Sequence, residues 1–157
     1  MPRHKYKKNK INPDPIYKSI EVTKLINYIM VDGKKTVAEK IVYRVMDKLK
    51  KIDSNPLSIL YQAIENTSPQ YEVKPRRLGG ASYLVPTEVR KERKLYLSLN
   101  WILEAAKARS NKEYKTFTDK LLAEIIDASK NLGQAIAKKT QTEKVAEANK
   151  AFSHLKW

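Results

Sequence analysis

The sequence predicts a mainly helical fold that carries one two-stranded β-hairpin. Apolar residues recur with helical spacing over most of the chain, whereas residues 71–90 change to a period of two around a glycine pair. The 157 residues are 41% hydrophobic, which is enough for one core. We therefore expect a single domain, 1–157, of about six packed helices with a protruding hairpin arm over 71–90 and a disordered basic tail over 1–12.

Three helices are predicted before the hairpin, each from an apolar stripe and its end signals. Gly33 suits a C-cap after the first stripe, and Thr36 and Glu39 match a capping box before the second. Asn55 and Pro56 supply an N-cap and a first-turn proline for the third. The predicted helices cover about 20–32, 37–52 and 56–67.

The segment 71–90 predicts a hairpin because two extended runs flank Gly79 and Gly80. Pro75 and Pro86 cannot donate to a strand ladder, so neither run belongs in the middle of a sheet. An isolated two-stranded ribbon is only marginally stable in water. The sequence therefore indicates an arm that awaits a partner.

Helical spacing returns after the hairpin. Ser110 and Asn111 interrupt it, which predicts one helix before them and another after them. Thr140 and Glu143 match a second capping box, so the last stretch is interpreted as either one helix or two. The predicted spans are about 91–109, 112–130 and 134–153.

The positive charge is concentrated in separate patches. The 32 Lys and Arg residues exceed the 17 Asp and Glu residues, for a net charge of +15. Residues 1–12 carry +5 with no acid, and residues 72–94 carry +4 with four of the seven arginines. Such patches favour contact with an extended polyanion at several points, and guanidinium groups bind phosphate in a bidentate manner. We interpret the pattern as nucleic-acid binding.

The candidate phosphate contacts lie in the tail, on the hairpin and at the start of the helix that follows it. Lys74 and Arg76 share one ribbon face and Arg77 points to the other. Cations at a helix N-terminus oppose the macrodipole, a conflict with local stability that is typical of functional residues. These candidates are Arg3, Lys5, Lys7, Lys8, Lys10, Lys74, Arg76, Arg77, Arg90, Lys91, Arg93 and Lys94.

Further candidates lie outside these segments or at the hairpin tip. Lys34 and Lys35 stand beside a helix start, where backbone amides also favour anions. A helix–helix turn brings together Lys107, Arg109, Lys112 and Lys115 as a second possible backbone contact. Tyr83 is placed either to stack on an unpaired base or to pack across the ribbon. Charge on the ribbon is also explained by protection of an exposed strand edge.

Most enzyme classes are excluded by composition. The chain has no cysteine, two histidines near its ends and only four glycines, so thiol catalysis, thiolate zinc sites and glycine-rich phosphate loops are absent. Asp119, Glu124 and Asp127 lie among lysines and are interpreted as a solvated helix face. No apolar run approaches the ~20 residues of a membrane span. We expect no cofactor, no metal and no membrane contact.

Charge alone leaves two other nucleic-acid functions open. An architectural DNA-binding protein would use the ribbon in the minor groove, usually with an apolar wedge, whereas the turn here is Gly-Gly-Ala. An enzyme acting on RNA would need a histidine pair or a spaced acidic metal site, which the sequence lacks. A structural RNA-binding protein is the preferred hypothesis.

The hairpin segment Val73-Lys74-Pro75-Arg76-Arg77-Leu78-Gly79-Gly80-Ala81-Ser82-Tyr83-Leu84-Val85-Pro86-Thr87-Glu88-Val89-Arg90 resembles the signature of the small-subunit ribosomal protein seven family, bacterial or organellar type. Segments 25–35, 101–106 and 146–152 are similar to that family in order and spacing. The resemblance implies six helices with a β-ribbon, primary binding to the 3′ major domain of small-subunit rRNA, and nucleation of head assembly. It implies a cytoplasmic bacterial ribosome, or that of a plastid or mitochondrion.

The resemblance also implies specific partners. Its rRNA contacts would be the residues Arg3 to Lys10, Lys34, Lys35, Arg76, Arg77 and the Arg90–Lys94 cluster, and its hairpin tip would lie beside the exit-site tRNA. That tip comprises Gly79, Gly80, Ala81, Ser82 and Tyr83. The family contacts ribosomal proteins nine and eleven, so we expect no homo-oligomer. Leu84, often Gln in the family, and the ending Leu155-Lys156-Trp157 depart from its pattern.

Overall fold

Six α-helices and one antiparallel hairpin make up the computed structural model, which describes residues 11–155. This arrangement confirms the predicted mainly helical fold with a two-stranded hairpin. The basic tail was predicted for 1–12, of which residues 1–10 lie outside the described residues. The elements are α1 Ile20–Ile29, α2 Lys35–Lys50, α3 Pro56–Thr67, β1 Tyr71–Leu78, β2 Ala81–Glu88, α4 Lys91–Ala108, α5 Phe117–Ser129, α6 Gln134–Ala148 and a 3₁₀ helix, Lys150–Leu155.

The core forms where the apolar stripes of the helices meet. Helix α5 packs against α2, α3 and α4, and α1 packs against α2 and α4. Side chains from each of these helices are almost fully buried, as the stripes predicted; they include Leu25, Met46, Leu60, Leu99 and Leu121. Burial of such side chains is the main source of stability for the fold.

The boundaries of the first two helices differ from the prediction. Helix α1 ends at Ile29 because its C-cap, Met30, leaves the helical region with a ψ of 130°, so the predicted C-cap at Gly33 is wrong. Asp32 and Gly33 turn the chain further on, with positive φ. Helix α2 begins at Lys35, and its N-cap Lys34 makes no side-chain capping bond, so the predicted capping box at Thr36 is wrong. Asn55 does cap α3, through its side-chain oxygen and the N–H of Leu57 at 3.2 Å.

The fifth helix begins later than predicted. Thr116 is its N-cap and accepts the N–H of Asp119, while residues 110–116 form turns in which Tyr114 N–H donates to Ser110 O at 3.2 Å. Helix α6 is continuous through Thr140, whose hydroxyl donates to the carbonyl of Ile136. The second capping box is therefore wrong, and the last stretch is one α-helix followed by the 3₁₀ helix.

The hairpin is supported from one side by the C-terminal elements. Leu78 pairs with Ala81 across a two-residue turn in which both glycines have positive φ, as a primed hairpin turn requires. The ribbon packs against α6 and the 3₁₀ helix, and Val85 is fully buried. The expectation of an arm that only awaits a partner is thus corrected, because this chain itself covers part of the ribbon.

Candidate nucleic-acid interface

A groove of about 460 Å³ lies between the base of the hairpin and the start of α4. Its cations come from β1 and from the start of α4. Strand β1 lies near this helix because it pairs with β2, which residues 89–90 connect directly to α4. The residues that line it are Glu72, Val73, Lys74, Glu88, Arg90 and Arg93. The structure therefore brings together cations that the sequence separates by nearly twenty positions.

Glu72 holds two of these cations in place. Its carboxylate lies 3.4 Å from Nζ of Lys74 and accepts a hydrogen bond from Nε of Arg93 at 3.3 Å. The Arg93 guanidinium also lies over the ring of Tyr96, 5.0 Å from its centroid. Both cationic side chains remain about half exposed, so they are oriented by their partners and still accessible to an anion.

The start of α4 adds further positive potential. Arg90 is the N-cap and makes no side-chain capping bond, and both Arg90 and Lys91 are exposed beside the helix start. Nζ of Lys94 donates to Oε1 of Gln70 at 2.6 Å, which ties the helix to the segment before β1. A helix N-terminus with these cations favours phosphate.

The two faces of the hairpin differ in accessibility. The strand register confirms that Lys74 and Arg76 share a face and that Arg77 points to the other; Arg77 is exposed and Arg76 half-buried. The tip, residues 79–82, is exposed. Tyr83 pairs with Arg76 in the ladder, and its ring packs on Phe152 with centroids 5.3 Å apart. Packing across the ribbon was one of two roles predicted for Tyr83, whereas the ring contact observed is with the 3₁₀ helix; stacking on a base stays a prediction.

The remaining predicted cations, apart from Arg109, fall into three groups. Lys34 and Lys35 are exposed where α2 begins, and Lys35 Nζ lies 4.0 Å from Glu39. Lys112 and Lys115 are exposed in the turns before α5, as is Lys107 near the end of α4. The tail cations Arg3, Lys5, Lys7, Lys8 and Lys10 lie outside the described residues.

Arg109 points into the protein instead of into a surface groove. Its guanidinium donates to Glu124 and Asp127 and lies against the ring of Tyr114. Burial lowers the pKa of Arg109, but the hydrogen bonds to Asp127 and Glu124 raise the pKa by more than burial lowers it. The net shift is therefore upward. Glu124 is only 1% exposed. The prediction that Glu124 belongs to a solvated helix face is wrong, since this buried carboxylate neutralises the largely buried Arg109.

Sequence reasoning missed the polar residues that orient the cations. Gln70 and Glu72 carry no charge-patch signal of their own, although Glu72 stands two positions before Lys74 and therefore on the same strand face. That spacing is the signal that would have found it. The role of Gln70 can be recognised only from the fold, which brings its side chain beside Lys94.

Comparison with known proteins identifies the family. The profile of the family described as ribosomal protein S7p/S5e matches residues 1–150. The chain belongs to the ribosomal protein S7p/S5e family. It is therefore a ribosomal protein with a structural role and is not an enzyme. Within residues 11–155 there is no group of three or more His, Asp or Glu side chains suited to hold a metal ion, and no helix suited to cross a membrane.

Bacterial members of the S7p/S5e family match along the whole chain. The small ribosomal subunit protein uS7 of Sulfurihydrogenibium sp. is 52% identical over 159 residues, covering 100% of both chains. The uS7 protein of Heliobacterium modesticaldum is 50% identical, with 100% of both chains covered. That of Afipia carboxidovorans is 48% identical, with 99% of this chain and 98% of the relative covered. The resemblance drawn from the hairpin sequence is thus confirmed.

Proposed function

We propose that this chain is a structural constituent of the small ribosomal subunit that binds the 3′ major domain of small-subunit rRNA and nucleates assembly of the head. The whole chain would act as one rRNA-binding domain. The observation that carries the proposal is the groove between β1 and α4, where Lys74, Arg90 and Arg93 converge beside an uncapped helix start. Membership in a ribosomal family favours RNA over DNA, a choice that charge alone leaves open.

The groove suits a sugar–phosphate backbone because its cations are held in advance. Glu72 fixes Lys74 and Arg93, which reduces the side-chain entropy lost when a phosphate binds. Arg93 and Arg90 offer forked donors, and the amides of the α4 start add fixed partial positive charge. Such contacts position an RNA without reading its bases.

Further cations extend the proposed interface. They are the tail residues Arg3 to Lys10, together with Lys34, Lys35, Arg76, Arg77, Lys91, Lys94, Lys112 and Lys115. We leave Arg109 out of the interface, since two carboxylates of this chain already bind its guanidinium. A net charge of +15 is relieved by binding a polyanion, which couples rRNA binding to stability of the folded chain.

The exposed hairpin tip is proposed to lie beside the exit-site tRNA. Residues 79–82 are exposed, while Tyr83 is held inward by Phe152, so backbone and small side chains would face that tRNA. We further propose ribosomal proteins nine and eleven as neighbours. Because the relatives compared are bacterial, we place the chain in the cytoplasmic ribosome of a bacterium.

Chemical footprinting of a 3′ major domain transcript tests the proposed function. The chain should protect a defined set of nucleotides, and Arg90→Gln/Lys91→Gln should lose a contiguous part of that protection. The matched control is Lys130→Gln/Lys144→Gln, which removes the same charge from exposed positions outside the proposed interface. Equal protection by all three proteins, or no preference of the native chain for this RNA, would contradict the proposal.

A further inference from the structure

Helix α2 and its C-cap carry a line of exposed cations that are not among the residues of the proposed interface. Lys40, Arg44 and Lys51 are all exposed, and their spacing of four and seven residues places them on one helix face. We call these three residues the α2 stripe. They extend about 16 Å along the helix axis, which matches several consecutive phosphates of one RNA strand.

The α2 stripe is separate from the hairpin groove. Helix α2 packs against α1, α3 and α5, whereas the hairpin packs against α6 and the 3₁₀ helix. The opposite face of α2 is buried through Val42, Val45 and Leu49. The exposed cations therefore cannot turn inward to find partners within the core.

The arrangement of these cations conflicts with helix stability. Lys40, Arg44 and Lys48 follow one another at intervals of four, so like charges are neighbours along the helix surface. Lys51 at the C-terminal end has a structural reason to be basic, because cations there complement the macrodipole. Lys40 and Arg44 lie in the helix interior, where the macrodipole gives no such reason. A repulsive run retained in mid-helix indicates a function outside the folded chain.

A groove of about 340 Å³ beside the stripe is shaped by α2 and the beginning of α5. Arg44 and Lys51 line one wall, and Thr116 and Thr118 line the other. Of the two acids in this groove, Asp119 is already bound by Lys48 and by the hydroxyl of Thr116. Asp47 is exposed and opposes only part of the cationic charge.

We propose that the α2 stripe is a second binding surface for the RNA phosphodiester backbone. This inference rests on the proposed function, since the ligand is the same head-domain rRNA. Arg44 supplies a forked donor and the lysines supply point charges, a combination that binds phosphate without base specificity. The chain would then bind its rRNA through two surfaces.

The test uses the double variant Lys40→Gln/Arg44→Gln and a 3′ major domain transcript. Glutamine favours helix as strongly as lysine does, and the change removes like-charge repulsion, so the variant should fold as well as the native chain. The slope of log Kd against log salt concentration should decrease by about 1.5, because two phosphate contacts are lost. Lys130→Gln/Lys144→Gln is the matched control.

Footprints separate this inference from the proposed function. The stripe variant should lose protection at nucleotides different from those lost by Arg90→Gln/Lys91→Gln. If the native chain prefers this RNA but the stripe variant keeps the control's salt dependence and footprint, the inference is overturned and the proposed function stands. Unchanged RNA binding with loss of an acidic ribosomal protein from reconstituted particles would also overturn it, in favour of a protein partner.

Discussion

Arg109 and Glu124 form a largely buried ion pair in which Nε and Nη2 of the arginine donate to the same carboxylate oxygen, at 2.8 and 2.6 Å. The other oxygen of Glu124 accepts the backbone N–H of Ala135 at 3.1 Å. One carboxylate therefore joins the end of α4, the middle of α5 and the start of α6. The connection fixes α6, on which the hairpin packs.

Removing one partner of this pair should be strongly destabilising. Arg109→Gln leaves the Glu124 carboxylate buried without its cation, and we expect a loss of about 3–5 kcal/mol in the free energy of unfolding. Urea denaturation of the variant and the native chain measures the difference. Lys107→Gln on the exposed end of α4 is the control and should change stability by less than about 0.5 kcal/mol. A loss below 1 kcal/mol for Arg109→Gln would show that the pair does not join the helices.

Gly133 should not tolerate a side chain. Its φ of 92° and ψ of 173° lie in a region that is nearly restricted to glycine, and a Cβ there would lie 2.9 Å from Oε1 of Glu124. Gly133→Ala is expected to cost about 1–3 kcal/mol from backbone strain, with further loss from displacement of Glu124. Thermal unfolding compared with Gly33→Ala, where a Cβ meets nothing within 4 Å, tests this. Equal losses in the two variants would contradict the role of Glu124.

Tyr43 should make stability sensitive to alkaline pH. Burial, followed by its hydrogen bond to Asp14 at 2.8 Å, raises the pKa of Tyr43 to about 12 from 10. The fold thus favours the neutral phenol, and this stabilisation is complete below pH 10 and is lost as pH rises toward 12. In Tyr43→Phe the unfolding free energy should fall less steeply between pH 10 and 12. The variant should also lose about 1.5 kcal/mol of unfolding free energy at pH 7, because it loses the hydrogen bond to the buried carboxylate of Asp14.

Two results would contradict the account of Tyr43. One is a fall in unfolding free energy between pH 10 and 12 that is as steep in the variant as in the native chain. The other is a variant as stable as the native chain at pH 7. Tyr61→Phe at an exposed ring serves as the control at neutral pH and should differ from the native chain by less than about 0.5 kcal/mol.

Phe152 should hold the hairpin in its native position. Its ring packs on Tyr83 with an angle of 51° between the planes, and the 3₁₀ helix that carries it lies against β2. Phe152→Ala is expected to weaken the hairpin locally by about 1 kcal/mol. Hydrogen exchange should then be faster at β1 and β2 amides and unchanged in α2 and α5. Unchanged exchange in the hairpin would show that the ribbon is stable without this contact.

The local fold was largely predictable because it depends on short-range patterns. The apolar stripes and the Gly79-Gly80 turn specify helices and a hairpin through neighbouring residues alone. The start of α5 was not predictable, since two places in the sequence suit a helix start. Ser110 and Asn111 are the earlier place, but Thr116 and Asp119 form the capping pair that is observed. Turn residues alone do not decide between two acceptable caps.

The candidate site was predictable in its cations but not in their partners. Charge patches identified Arg90, Lys91 and Lys94 because the signal is a local excess. The burial of Arg109 depends on where α4 ends relative to α5, so it emerges only from tertiary packing. The packing of Tyr83 on Phe152 likewise joins residues far apart in sequence.

Salt dependence of rRNA binding tests the central claim most directly, because counterion release reports the number of phosphates neutralised. The native chain and Arg90→Gln/Lys91→Gln would be titrated against a 3′ major domain transcript and a duplex DNA of equal length. We predict preference for the transcript and a steep loss of affinity with salt, shallower by about 1.5 in the variant. Equal slopes for both proteins, or equal affinity for the duplex DNA, would contradict the account.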